Sequence, residues 1–128
     1  MNENENTGPA PRTLTDQELS RILGEQRFGA LAAVKRSGHP HLSTVLYAWD
    51  PEERVIRISS TEDRLKVRQL RNDPRTALHV NGENVWSFAV AEGDAEIISA
   101  PEDGPGRVVI SIKVSRLYGT ALDIPAED

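Results

Sequence analysis

The chain consists of short apolar runs separated by turn-forming residues, and this pattern constrains its fold more than any other feature. Strands are predicted at 28–35, 41–49, 54–60, 76–80, 84–90, 93–98 and 107–114. The sequence contains neither a strand–helix–strand alternation nor an internal repeat. Many short strands with tight turns favour an antiparallel β-barrel or sandwich, so a mainly β fold is expected. Gly93 is expected to mark a bulge or bend between two strands.

A first helix is predicted directly after Leu14. Thr15 and Glu18 have the spacing of a capping box, and Leu14 and Leu19 are placed to form a hydrophobic staple. Gly24 is expected to end this helix, because glycine is common just past a helix C-terminus.

A second short helix is predicted after the third strand. Ser60 or Thr61 is expected to cap it, and it runs to about Arg71 before residues 72–74 stop it. The junction between strand and helix exposes backbone N–H groups, which together with the helix dipole favour an anion. Arg64 lies at this junction and can grip a phosphate through two N–H groups.

Positive charge is concentrated in residues 54–75. Seven of the fifteen Lys and Arg residues lie there against three acidic residues, so the segment carries a net charge of +4 in a chain whose net charge is −5. Such an island indicates a specific anionic ligand. Arg68 and Arg71 share a helix face and are interpreted as a solvated stripe. Lys66 faces inward beside Leu70 and therefore needs a partner, either a phosphate or an internal carboxylate.

Composition excludes several classes of protein. The chain has no cysteine, which rules out disulfides and thiolate metal sites, and its three histidines match no metal-binding spacing. Its acidic balance argues against a nucleic-acid binder. No run is long enough for a membrane span, and the first residues do not form a signal peptide, so a cytoplasmic location is expected.

A length of 128 residues allows one domain. The domain is predicted at 13–120, between a disordered tail at 1–12 and a C-terminal tail at 121–128. Apolar residues make up 38% of the chain and aromatic residues 5%. A monomer with so few apolar residues would be marginally stable, so a homodimer is expected.

One histidine and two aromatic residues are candidates for ligand contact. His41 follows a turn at the start of a strand and is placed to face a ligand, whereas His79 is interpreted as structural. Trp86 and Phe88 alternate on one predicted strand and so point the same way. They are expected either to pack in the core or dimer interface or to lie beside a flat conjugated ring. No motif for acyl or phosphoryl transfer is present, and the catalytic residues stay unassigned.

Four stretches of the sequence, spanning most of residues 28–119, form a common pattern: Gly38–Ser43, Arg64–Arg75, Trp86–Gly93 and Tyr118-Gly119. Together they resemble the pyridoxamine 5′-phosphate oxidase-like superfamily and, within it, the branch of deazaflavin-dependent oxidoreductases. The resemblance implies a split β-barrel of antiparallel, Greek-key-like strands with short flanking helices. It also implies a homodimer with cofactor sites at the subunit interface.

The resemblance further implies a cofactor site. Its residues are Ser59, Arg64 and Lys66 at the cofactor phosphate, His41 along the cofactor, and Trp86 and Phe88 reaching it from the other subunit. The usual cofactor of the branch is coenzyme F-420, an 8-hydroxy-5-deazaflavin whose tail carries a phosphate and several glutamates. Flavin mononucleotide (FMN) also suits the basic island.

The sequence departs from the family pattern in three places. Gln69 stands where relatives commonly have Asn, Phe88 replaces a frequent Tyr, and a short connection joins Ile98 to Arg107 in place of a helical segment. The short connection leaves the substrate side more open or reflects residues that are missing from the chain.

Three functions are compatible with this pattern. The leading hypothesis is an oxidoreductase that transfers a hydride from reduced coenzyme F-420 to an electron-poor small-molecule acceptor, with Tyr47 or water as the proton donor. The second is an FMN-dependent oxidase or flavin reductase. The third is a non-catalytic module that stores or shields a cofactor or a tetrapyrrole, which the short connection favours slightly.

Overall fold

The computed structural model describes residues 10–123. Its strands are β1 (Arg12–Thr13), β2 (Phe28–Val34), β3 (Pro40–Leu46), β4 (Ala48–Asp50), β5 (Val55–Thr61), β6 (Arg75–Asn81), β7 (Phe88–Ser99), β8 (Arg107–Tyr118) and β9 (Thr120–Ala121). Two helices, α1 (Asp16–Glu25) and α2 (Leu65–Asn72), and a short 3₁₀ helix (Pro101–Asp103) accompany them. Most of the predicted tails at 1–12 and 121–128 lies outside the described residues. Arg12 and Ala121, at their inner ends, pair with each other.

Seven strands form one antiparallel sheet in the order β3-β2-β6-β7-β8-β5-β4, while β1 pairs with β9. The sheet curls until β3 contacts β5, although no hydrogen-bonded ladder joins these two strands. A curled sheet that stays open along one seam is a split barrel. The mainly β fold and the split barrel expected from the sequence are therefore confirmed.

Alternate residues of each strand point into the barrel and form the core. On β5, Ile56 and Ile58 are fully buried, whereas Arg57 and Ser59 between and after them are exposed. This period of two follows from strand geometry. Truncating a buried side chain such as Ile58 to alanine costs about 2–5 kcal/mol in proteins of this kind.

The capping box at the start of α1 is confirmed. The Thr15 hydroxyl accepts a hydrogen bond from the Glu18 N–H across 3.2 Å, and the Glu18 carboxylate accepts one from the Thr15 N–H across 3.0 Å. Leu14 and Leu19, predicted to form the staple, are both buried in the hydrophobic core. The local signal was sufficient because all four residues lie within six consecutive positions of the chain.

The predicted end of α1 at Gly24 is wrong. The helix continues through Gly24 to Glu25, and the Gln26 N–H then bonds to the Ile22 carbonyl oxygen at 3.2 Å. Glycine permits a helix end but does not enforce one, and the helix ends where the backbone of Gln26 becomes extended, with φ −103° and ψ 168°. Neither helix among residues 10–123 has the length and apolar character that crossing a membrane requires, and the cytoplasmic location stays a prediction.

The predicted strand at 41–49 divides at Tyr47. β3 pairs with β2 up to Leu46, and β4 pairs with β5 from Ala48 onward. Between them the Tyr47 N–H bonds to the Arg27 carbonyl oxygen at 3.0 Å. The chain therefore changes sheet neighbours at Tyr47, which a continuous apolar pattern cannot reveal.

The predicted strands at 84–90 and 93–98 form the single strand β7, and residues 84–87 lie in the preceding turn. The expected irregularity at Gly93 is confirmed, because the pairing with β8 shifts register between Glu92 and Gly93. A Cβ atom at Gly93 would collide with the Lys113 carbonyl oxygen, so the bulge requires glycine. Beyond the bulge, β8 keeps pairing to Tyr118, four residues past its predicted end at 114.

The predicted caps of α2 are wrong. The helix begins at Leu65, with Arg64 as the capping residue and no side-chain cap. Ser60 is still part of β5 and points into the barrel, and the Thr61 hydroxyl bonds to the Asp63 carboxylate across 2.6 Å. Pairing with β8 extends β5 to Thr61, so both hydroxyl residues are used before the helix starts.

Candidate functional site

The junction between β5 and α2 carries two of the basic residues predicted to hold a phosphate. Arg64 is exposed immediately before α2, and Lys66 is half-buried in its first turn. Val67 and Leu70 anchor the helix in the core. The N–H groups of Leu65 and Lys66 have no hydrogen-bond partner among residues 10–123. Such unpaired first-turn N–H groups are available to an anion.

The positive charges at the start of α2 and along it are not neutralised by ion pairs. Within the described chain, none of the four basic residues from 64 to 71 joins an ion pair, whereas the other three basic residues of the 54–75 segment, Arg54, Arg57 and Arg75, each pair with an aspartate. The internal carboxylate considered as a partner for Lys66 is therefore absent from residues 10–123. The hydrogen bond from Thr61 lowers the pKa of the Asp63 carboxyl, and the charges of Arg64 and Arg68 lower it further.

Ser59 contacts a basic residue that the sequence did not single out. Its side chain is on the outward face of β5, where the hydroxyl accepts a hydrogen bond from Arg107 Nη2 across 2.6 Å. Arg107 opens β8 and pairs with Thr61. No sequence pattern signals this contact, because 48 residues separate Ser59 and Arg107 and only the register of β5 and β8 brings them together.

His41 is connected to α2 by a hydrogen bond. Its Nδ1 lies 2.8 Å from Oε1 of Gln69, and Gln69 is buried with 9% of its surface exposed. An amide oxygen only accepts, so Nδ1 carries the proton in this arrangement and Nε2 is left for another partner. α2 thus carries Arg64 and Lys66 at its start and holds His41 through Gln69.

Trp86 and Phe88 do not share a strand, which corrects the predicted arrangement. Trp86 lies in the turn before β7, where its carbonyl oxygen accepts a hydrogen bond from the Leu122 N–H at 3.0 Å. Phe88 opens β7 and stacks on His79, with ring centroids 5.1 Å apart. His79 is exposed on the outer face of β6, so its packing partner is Phe88 and not the barrel core.

The aromatic pair lies far from the basic junction of the same chain. β7 has Phe88 at one end and Ser99 at the other. The eleven steps between them, at ~3.3 Å each, amount to roughly 36 Å along the strand. Ser99 pairs with Val108, next to the position where β8 meets the end of β5. The two groups of predicted site residues are therefore at opposite ends of the sheet within one chain.

An apolar strip covers the outer face of the sheet at β2 and β3. Phe28 is 60% exposed and pairs with Leu46, which is 55% exposed. Leu42, 66% exposed, pairs with Ala32 farther along the same strands. Exposed large apolar side chains on adjacent strands are typical of surfaces that bind a partner.

Tyr47 is a structural residue. Its side chain points into the barrel, and its hydroxyl donates a hydrogen bond to the Leu23 carbonyl oxygen of α1 at 2.7 Å. Burial raises the pKa of this phenol well above its ordinary value. The hydroxyl is thus committed to the contact between α1 and the barrel, which removes Tyr47 from the groups that can pass a proton to an external ligand.

The curled seven-stranded antiparallel sheet, its two covering helices and its basic strand–helix junction define a split β-barrel protein. The family model of pyridoxamine 5′-phosphate oxidase matches residues 15–121. The chain therefore belongs to the pyridoxamine 5′-phosphate oxidase family, which confirms the superfamily resemblance drawn from the sequence.

Many solved structures share this fold, and three of them illustrate the likeness. A FAD-binding protein from Mesorhizobium loti superimposes with a TM-score of 0.77 at 21% identity, covering 91% of this chain and 100% of that one. An F420 reductase gives 0.68 at 26% identity, covering 77% and 94%. A conserved hypothetical protein from Mycobacterium tuberculosis gives 0.75 at 20% identity, covering 96% and 94%.

Proposed function

We propose that this protein is an oxidoreductase that binds coenzyme F-420 and passes a hydride from the reduced cofactor to an electron-poor organic acceptor. The unpaired positive charge at the start of α2 carries this proposal. Arg64 offers a planar fork of donors, Lys66 a point charge, and the first turn of α2 two free N–H groups. This donor set fits a phosphate. The 26% identity to an F420 reductase supports the deazaflavin over other flavins.

Ser59 and Arg107 extend the phosphate site onto the outer face of the barrel. Their 2.6 Å hydrogen bond holds the guanidinium beside the end of β5. No carboxylate forms an ion pair with Arg107 among residues 10–123, so its charge remains available. In this arrangement Ser59 orients Arg107, and Arg107 adds a further cation for a ligand with several anionic groups.

His41 is assigned to the side of the bound cofactor. Gln69 fixes its Nδ1 as a donor, which leaves Nε2 as the ring atom that meets the ligand. The bound cofactor supplies the hydride chemistry. The chain supplies the phosphate grip, the orientation of the ring system and a surface that excludes water.

The site is assigned to the interface of a homodimer. Trp86 and Phe88 are roughly a full strand length from Arg64 in their own chain, so Trp86 of the partner subunit is the one assigned to each site. The exposed apolar strip at Phe28, Leu42 and Leu46 supports the same conclusion, because burying such surface contributes about 25 cal/mol per Å².

Mixed subunits test this shared site. A chain with Arg64→Ala and Lys66→Ala and a chain with Trp86→Ala are each expected to bind the cofactor poorly. Refolded together, they form mixed dimers in which one of the two sites has all its residues, so each mixed dimer should bind half as much cofactor as a wild-type dimer. If mixing restores no binding although mixed dimers form, both groups belong to one subunit's site. If the Trp86→Ala chain alone binds like the wild type, Trp86 has no role.

FMN is the second candidate cofactor, because the chain belongs to the pyridoxamine 5′-phosphate oxidase family. Its single phosphate would use the same junction, and the protein would then be an FMN-dependent oxidase or flavin reductase. Equilibrium titration of the purified protein with oxidised coenzyme F-420, using FMN as competitor, separates the two. Preference for coenzyme F-420 supports the proposal, preference for FMN selects the second candidate, and binding of neither contradicts both.

A further inference from the structure

A second cleft lies beside the proposed cofactor site, between the turn of the β2–β3 hairpin and α2. Its volume is about 610 Å³, and its lining residues are Lys35, Arg36, Leu65, Arg68, Gln69 and Asn72. Three of these six side chains are cations and none is a carboxylate. None of the side chains proposed to hold the phosphate lines this cleft, but Leu65, whose N–H is one of the two free donors of the phosphate site, borders both.

The cations of the cleft have no partners in the described chain. Lys35, Arg36 and Arg68 form no ion pair among residues 10–123. The charge of Arg68 helps to lower the pKa of the Asp63 carboxyl. The Asp63 carboxylate accepts a hydrogen bond from the Thr61 hydroxyl and does not line the cleft. Three unpaired cations around one opening create a positive potential that attracts an anion.

Gln69 provides a polar donor inside the cleft. It is nine-tenths buried, and its Oε1 accepts the hydrogen bond from His41. Its Nε2 makes no hydrogen bond within the described chain. Every buried side-chain nitrogen and oxygen in that part of the chain has a partner, so Nε2 is not buried. Nε2 is therefore open to the cleft that Gln69 lines. This accessible amide nitrogen can donate to an acceptor atom of a ligand or of water.

One wall of the cleft is apolar. Leu65 is 49% exposed at the start of α2, and the methylene stems of Lys35 and Arg68 add apolar surface below their charged ends. A small inorganic anion would leave this wall uncovered, whereas an organic anion would cover it and reach the cations and the amide together.

We propose that this cleft binds the carboxylate or phosphate group of an organic anion with an apolar body, with Arg68, Arg36 and Gln69 Nε2 as its donors. The site adds the binding of an organic anion to the proposed oxidoreductase, and the source of that anion is either the tail of the cofactor or a separate ligand. Because Gln69 also holds His41, a ligand in the cleft contacts the residue that orients His41. Arg68, interpreted from sequence as part of a solvated stripe, becomes a ligand-binding residue.

The probe for this site is 8-anilinonaphthalene-1-sulfonate, a fluorescent organic anion, used on the intact protein. Arg68→Gln should weaken its binding at least about tenfold, because a charge-assisted contact is lost. Arg71→Gln is the matched control, since Arg71 is on the same helix but does not line the cleft. The uncharged analogue N-phenyl-1-naphthylamine should be insensitive to both changes. Equal effects of Arg68→Gln and Arg71→Gln, or none from either, overturn the proposal.

Gln69→Glu provides a second test, because the new carboxylate keeps an acceptor for His41 but replaces the donor with a negative charge. Probe binding should fall at least about tenfold while thermal unfolding stays cooperative. Unchanged binding would overturn the role of Gln69.

Competition then distinguishes the source of the anion. Displacement of the probe by coenzyme F-420 but not by FMN assigns the cleft to the anionic tail of the cofactor, and displacement by neither assigns it to a separate ligand. Loss of cofactor binding in the Arg64→Ala, Lys66→Ala variant tests the proposed function independently of this cleft.

Discussion

Gln69 of α2 and His41 of β3 are joined by a 2.8 Å hydrogen bond between the helix and an edge strand of the sheet. The bond connects the helix that carries Arg64 and Lys66 to the hairpin that forms one edge of the sheet. The position of His41 relative to the basic junction is thereby fixed by a single buried amide. Its chemical consequence is the choice of tautomer, because the amide oxygen requires a proton on Nδ1.

Gln69→Leu should remove the hydrogen bond that selects the Nδ1–H tautomer of His41. Nitrogen-15 NMR of the imidazole above its titration range is expected to show the Nδ1–H tautomer in the wild type and a mixture of tautomers in the variant. His39, which is exposed in the adjacent turn, serves as the internal control. A wild-type His41 that carries its proton on Nε2 would contradict the assigned hydrogen bond.

Tyr47→Phe should affect stability and not chemistry. Removing the hydroxyl leaves the Leu23 carbonyl oxygen without its donor inside the core, which costs about 1–3 kcal/mol. Urea unfolding measures this loss. The pH profile of cofactor-dependent turnover is expected to match the wild type, and a profile that lost one limb would show that Tyr47 transfers a proton.

The same substitution at two glycines should have opposite effects. Gly93→Ala brings a Cβ atom into the Lys113 carbonyl oxygen at the bulge and should destabilise the fold by about 1–3 kcal/mol. Gly24→Ala lies in the exposed last turn of α1, where the nearest atom to the new Cβ is Trp49 Cδ1 at 4.0 Å. It should stabilise the protein by about 0.5–1 kcal/mol. Denaturant midpoints report both, and equal signs would contradict the described backbone.

Asp73 should contribute stability that disappears in acid. Hydrogen bonds from the Arg75 side chain lower the pKa of its carboxyl below the ordinary value of 3.8. A folded pKa below the unfolded one gives stability that is fully present above the unfolded pKa and is lost as the pH falls through the folded pKa. The free energies of unfolding of wild type and Asp73→Asn should therefore differ at neutral pH and converge as the pH falls below the lowered pKa of the Asp73 carboxyl. A difference that stays constant with pH would mean that the ion pair has no role.

Sequence reasoning succeeded where the determinants were local. The capping box of Thr15 and Glu18 lies within one turn, and the irregularity at Gly93 follows from a property of glycine alone. The basic junction at Arg64 and Lys66 was also visible, because composition and a strand-to-helix change mark it. The pattern of short strands was enough for the fold class.

Features that depend on tertiary pairing were not predictable. Arg107 meets Ser59 only through the register of β5 and β8, and Gln69 meets His41 only because α2 packs beside the hairpin. Trp86 was predicted in a strand but lies in a turn, because its apolar neighbours suit a strand equally well. The carbonyl oxygen of Trp86 instead accepts a hydrogen bond from Leu122, which is far along the chain.

The phosphate grip at Arg64 and Lys66 is the central claim, and equilibrium binding of coenzyme F-420 to the double variant tests it most directly. Arg64→Ala with Lys66→Ala should weaken binding at least about a hundredfold, because two charge-assisted contacts are lost. Arg21→Ala with Arg71→Ala removes the same net charge away from the junction and should leave the dissociation constant within about threefold of the wild type. Equal dissociation constants for the wild type and the Arg64/Lys66 variant, with both folded, would contradict the account.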